Sequence, residues 1–137
     1  MDVPRDVSLE VTAPAEPGRL PLLRSTLSVM LDGAGLGADT VTDLTVMADA
    51  IGELVVSCSP RGATVTYAVT TRELSTDVTI VGQLADQLSL PTDGLAWRLV
   101  EATTDEASVT TGDDGRVQVA CRARHMPPQA AAAPGNP

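Results

Sequence analysis

Lysine and phenylalanine are both missing from this chain of 137 residues, which has one tryptophan, one tyrosine and one histidine. With an aromatic share of 1% against 43% hydrophobic residues, the core must be filled by Val, Leu, Ala, Ile and Met rather than by rings. Trp97 and Tyr67 are conspicuous for that reason. Basic charge is scarce as well. Nine cationic residues, all arginine, face eighteen acids, for a formal charge of −9. That balance repels nucleic acid and anionic membrane at long range, so neither is an expected partner. No apolar run approaches the roughly 20 residues needed to span a bilayer. Two cysteines and no signal-peptide pattern point to a cytoplasmic protein in which Cys58 and Cys121 are free, buried thiols. One domain suffices for this length.

What the chain does have is a long helical signal. In Asp43–Cys58 the apolar residues Leu44, Met47, Ile51, Leu54, Val55 and Cys58 recur at three- and four-residue steps, so one stripe can face a core. The other positions, Thr45, Asp49, Gly52 and Glu53, offer acids and no Asn, Gln, His or Lys. Asp39 or Thr40 is expected to cap this helix, and Pro60 to end it.

Around it the pattern is regular. Val7–Thr12 alternates like a half-buried strand. Three prolines between Ala13 and Pro21 delay a helix until the last of them sits in its first turn, after which Leu22, Leu23, Leu27, Met30 and Leu31 carry it to Gly33. Ala63–Thr71 and Asp77–Val81 are short and β-branched, which predicts an antiparallel hairpin. A helix is expected from Thr92-Asp93-Gly94 through Ala102. Two strands, Ala107–Thr111 and Arg116–Arg122, then flank Gly112-Asp113-Asp114-Gly115, the strongest hairpin signal in the chain. The composition of residues 126–137 predicts a disordered tail after a domain of residues 1–125. The expected fold is α+β: a two-layer sandwich of a mixed, mainly antiparallel sheet with helices on one face.

This order, with the runs Leu22–Leu31, Asp43–Val56, Asp77–Val81 and Asp93–Val109, resembles the Bergerat-type ATPase domain of the anti-sigma factor serine kinases, the RsbW and SpoIIAB group. The resemblance covers about Val7 to Arg122. It implies that the second helix should present a Glu and, four residues on, an Asn, to hold a water and a magnesium ion; the matching positions here are Ala50 and Leu54. A one-residue slip would offer Asp49 and Glu53 instead, but would pull Met47, Ile51 and Leu54 off the buried face at roughly 1.5–3 kcal/mol each. The family's adenine-reading Asp after the second hairpin strand is replaced by Gly82, and Leu84 and Asp86 stand where glycines follow. Of a later glycine pair only Gly94 remains, with Ala96 in place of the second, where a Cβ would crowd a phosphate. Trp97 is large enough to plug part of a vacated pocket.

The resemblance therefore implies a degenerate member: a regulatory protein-binding module in partner-switching control of transcription that sequesters a sigma factor or a STAS-domain anti-anti-sigma protein, with no catalytic residue, cofactor or metal of its own. Asp49, Glu53 and Gly94 are then vestiges of a cofactor site. Partner contacts are expected from Arg24, at the position of a family arginine that touches the partner, with Leu23 and Leu27 beside it. Family pairing through the sheet and first helix makes a homodimer a further expectation. The competing expectation is an active serine kinase on a STAS-domain protein, with Asp49 or Glu53 as base. His125 has no Cys, His or Ser partner nearby in sequence and is read as incidental; the acids Asp105, Glu106, Asp113 and Asp114 are read as turn and surface charges.

Overall fold

A computed structural model describes residues 6–128. Strand β1 (Val7–Pro14) leads through a single 3₁₀ turn to helix α1 (Leu20–Gly33) and the long helix α2 (Ala38–Ser57). The hairpin β2 (Thr64–Thr71) and β3 (Ser75–Gln83), helix α3 (Leu95–Thr103), and the hairpin β4 (Glu106–Thr111) and β5 (Arg116–Arg124) complete the order. Five strands form one sheet in the order β1-β2-β3-β5-β4. Among the described residues every pairing is antiparallel, the main component of the expected sheet. The predicted tail covers residues 126–137, of which 129–137 lie outside the described residues.

Alternation decides which side of the sheet is buried. Val65, Tyr67, Val69 and Thr71 of β2, Thr76, Val78 and Ile80 of β3, and Val117, Val119, Cys121 and Ala123 of β5 all turn toward the helices and are buried. The residues between them, such as Thr66, Ala68, Asp77, Thr79 and Arg122, face the other way. Helix α2 is packed between α1 and α3. Its predicted stripe is buried throughout except for Leu54, which is half-buried.

Local signals set the ends of elements less well than their middles. The N-cap of α2 is Gly37, with no side-chain cap, so neither Asp39 nor Thr40 caps it. Asp39 sits in the first turn, where its charge complements the helix dipole. Helix α1 starts at Leu20, one residue before Pro21, and α3 starts at Leu95 with Gly94 as its N-cap. At the last hairpin Gly115 takes φ +84°, a left-handed conformation natural to glycine. The turn is closed by Gly112 N–H to Arg116 O at 2.8 Å and Arg116 N–H to Asp114 Oδ1 at 3.0 Å.

Candidate functional site

The exposed side of α2 and the end of β3 are where the expected site residues gather. Asp49 and Glu53 stand one turn apart on α2, yet they differ in role. Arg24 of α1 reaches across so that its Nε lies 3.5 Å from Asp49 Oδ1. Asp49 is thus half of an interhelical ion pair, while Glu53 is exposed and makes no ion pair among the described residues. Beneath them, the Tyr67 hydroxyl donates to the Ala48 carbonyl at 3.3 Å. Burial first, then the charges of Asp49 and Glu53, push the Tyr67 pKa well above the ordinary phenol value.

Gly52 was expected on the polar face, but it is buried. A Cβ there would lie 2.0 Å from Tyr67 Oη and 3.2 Å from Leu20 Cδ2. The mid-helix glycine, which costs about 1 kcal/mol relative to alanine, makes room for the only tyrosine.

The same device closes the end of β3. A Cβ on Gly82 would lie 2.4 Å from Val55 Cγ1. The chain that follows is tied down: Leu84 N–H donates to Gly115 O at 2.8 Å and Ala85 N–H to Cys58 O at 2.7 Å. Leu84, Leu90 and Trp97 are buried in one apolar cluster with Ala50, Ile51 and Val55, and Leu54 and Ala96 pack against it. The positions that the resemblance assigns to nucleotide and magnesium therefore hold Ala50, Leu54 and Gly82. They offer no ligand atom, and no side chain fits at 82 without displacing Val55. The residues present do not fit that group. Gly94 is exposed, and a Cβ there would meet nothing within 4 Å, so only its place as N-cap speaks for glycine.

On α1 the structure corrects the expected partner surface. Leu23 and Leu27 are both 0% exposed, so they belong to the core and cannot touch a partner. The helix turns Leu22 and Val29 outward instead, at 56% and 72% exposure. Arg24 stays half-exposed despite its ion pair.

His125 is not incidental. Its Nε2 lies 2.7 Å from the buried Thr76 hydroxyl, its Nδ1 lies 2.7 Å from Met126 O, and its backbone N–H donates to Leu74 O at 3.0 Å. It fastens the end of β5 to the β2–β3 turn. On the sheet's open face Arg72 and Arg122 both bind Asp77, and Arg122 and Arg124 each approach Glu106 at 3.8 Å. Hydrogen bonding from Arg122, then from Arg72, outweighs partial burial and holds the Asp77 carboxyl below its usual range. Cys58 and Cys121 are free and buried; burial pushes the Cys121 thiol up to about 12. Among the described residues no helix is long and apolar enough to cross a membrane, and no three His, Cys, Asp or Glu side chains gather as a metal-holding group.

No protein family profile matches the chain, and no curated protein matches it in sequence. Solved structures do. The crystal structure of the RsbU and RsbW domains of Rv1364c from Mycobacterium tuberculosis superposes with a TM-score of 0.64 at 17% identity over 91% of this chain. The match takes in 34% of the chain in that structure, so this chain spans about a third of its length. The likeness shows the fold: an α+β sandwich of the RsbW type.

Proposed function

We infer that this protein is an anti-sigma-factor-like binding module that acts by holding a protein partner, a sigma factor or a STAS-domain anti-anti-sigma protein, without ATP chemistry of its own. The observation that carries this reading is the contact at the end of β3. Val55 occupies the space that any side chain at position 82 would need, in the place where the look-alike kinases carry their adenine-reading carboxylate. Ala50 and Leu54 on the adjoining helix add to it. The ion pair of Asp49 with Arg24 weighs against Asp49 as a catalytic base, because its carboxylate is already turned to the guanidinium of the neighbouring helix rather than to a substrate.

The partner surface lies on the outside of α1. Arg24, flanked by the exposed Leu22 and Val29, combines a charged anchor with apolar area, a pairing that suits protein interfaces. An excess of nine negative charges favours a partner with basic, DNA-contacting regions, with which the module competes against DNA. The test is recovery of partners from the protein's own cells by the tagged chain, with nucleotide removed enzymatically, beside Arg24→Ala and Val29→Asp. The reading expects full recovery without nucleotide and at least about tenfold loss with Val29→Asp, the size of a central interface residue. Capture that requires ATP, or capture indifferent to both substitutions, contradicts it.

A further inference from the structure

The open face of the sheet holds a groove of about 740 Å³ that the helix layer does not touch. Its floor is Thr66, Ala68 and Val81, and its walls are the turn around Arg61 and the hairpin turn at Asp114. Hydrogen-bond donors line one end. Arg116 pairs with Gln83 across β5 and β3, Thr64 opens β2 on the same face, and Arg61 stands just before it.

Ion pairing sets these arginines apart. Among the described residues Arg19, Arg24, Arg72, Arg122 and Arg124 each have a carboxylate within 4 Å. Arg61, Arg98 and Arg116 have none, and two of these three line this groove. In a chain with eighteen acids to nine bases, two cations lining one groove with no carboxylate within 4 Å are unexpected. Two acids, Glu10 and Asp114, also line the groove, and neither has a carboxylate oxygen within 4 Å of these guanidinium groups. Asp114 turns Oδ1 back to accept the Arg116 backbone N–H at 3.0 Å, and its carbonyl accepts from Gln83 Nε2 at 2.5 Å. Glu10 lies on edge strand β1 opposite Ala68, on the far side of β2 from β3 and β5.

We propose that this groove is a binding site for a small oxyanion ligand, a carboxylate or phosphate compound, anchored by Arg61 and Arg116. Guanidinium groups offer paired N–H donors that match both kinds of oxyanion, and the volume falls in the usual range for small-molecule sites. The ligand would lie on the face opposite to α1, so the site stands apart from the partner surface.

The test is a titration of the full chain, followed by nuclear magnetic resonance of the arginine Nε–H and Gln83 amide signals. Inorganic phosphate is used in one arm and citrate in the other, each at ionic strength matched with sodium chloride. Saturable shifts confined to Arg61, Arg116 and Gln83 are expected. Arg61→Gln and Arg116→Gln should each weaken binding about tenfold, the worth of one charge-assisted contact, and Arg98→Gln should leave it unchanged. Saturation by phosphate alone identifies a phosphoryl ligand, and by citrate alone a carboxylate. Shifts that never saturate in either arm, or equal weakening by Arg98→Gln, overturn the site. Melting curves of the three variants establish that each remains folded.

Discussion

The two faces of the sheet treat empty space in opposite ways. On the helix side, two glycines mark the closest approaches and both are filled by a neighbour: the Tyr67 hydroxyl at Gly52 and the Val55 methyl at Gly82. On the open side, small and β-branched residues leave shallow cavities rimmed with arginine. In ATPases of the look-alike family the helix side holds the ligand. Here that side is packed like any core, while solvent and charge are left to the other side. On the proposed reading, the architecture persists while the space that serves chemistry in the look-alike family is given over to packing.

Changes on the helix side should therefore cost the most. Gly82→Asp, which places a carboxylate where the look-alike kinases carry one, should destabilise by about 4 kcal/mol or more, because it overpacks against Val55 and buries an unpaired charge; chemical denaturation would measure it. If Val55→Ala made in addition recovered none of that loss, the packing explanation would be wrong. Gly52→Ala should cost about 1–3 kcal/mol by the same logic. Most of that should return in the double variant Gly52→Ala with Tyr67→Phe, since the nearest remaining ring contact of the new Cβ, Tyr67 Cζ, is 3.2 Å away. Additive losses in the double-mutant cycle would separate the two residues.

Alkaline titration sharpens the comparison with little disturbance. The folded Tyr67 pKa is raised, so the stability tied to its protonated form is complete below the ordinary phenol value of about 10 and is lost as pH climbs above it. With one tyrosine in the chain, phenolate absorbance should rise only as the protein unfolds. A smooth titration at the ordinary value in folded protein would show an accessible hydroxyl.

The open face should respond least. Asp77 has a depressed folded pKa, so its contribution is present above the unfolded value of about 3.9 and fades as pH falls through the lower folded value. Asp77→Asn should cost about 0.5–1 kcal/mol at neutral pH, the scale of a solvent-screened surface network, and the gap should close in acid. A cost above about 2 kcal/mol would place this cluster on a par with core packing.

Much of this was legible in the sequence, and the limits fall at non-local contacts. The apolar stripe of α2, the two hairpins and the order of elements follow from periodicity and turn residues that act within a few positions of each other. Gly52 reads as a polar-face residue because the reason for it lies in Tyr67, on another element. Leu23 and Leu27 share a helix with Arg24, which suggests a partner contact, yet their three- and four-residue spacing with Leu20, Met30 and Leu31 marks the core stripe in which they are buried. His125 lacked a partner in sequence, since Thr76 reaches it only through the pairing of β3 with β5. That Ala50, Leu54 and Gly82 carry no ligand atom can be read from the sequence. That Val55 fills the gap cannot.

The most direct test of the central claim is a thermal melt of the wild-type protein with millimolar ATP and magnesium. Closure of the helix side predicts no shift in melting temperature beyond that given by magnesium and sodium chloride at equal ionic strength. A ligand present at 100 times its dissociation constant would add about 2.7 kcal/mol, a rise of several degrees for a domain of this size, and a saturable rise of that kind would contradict the account.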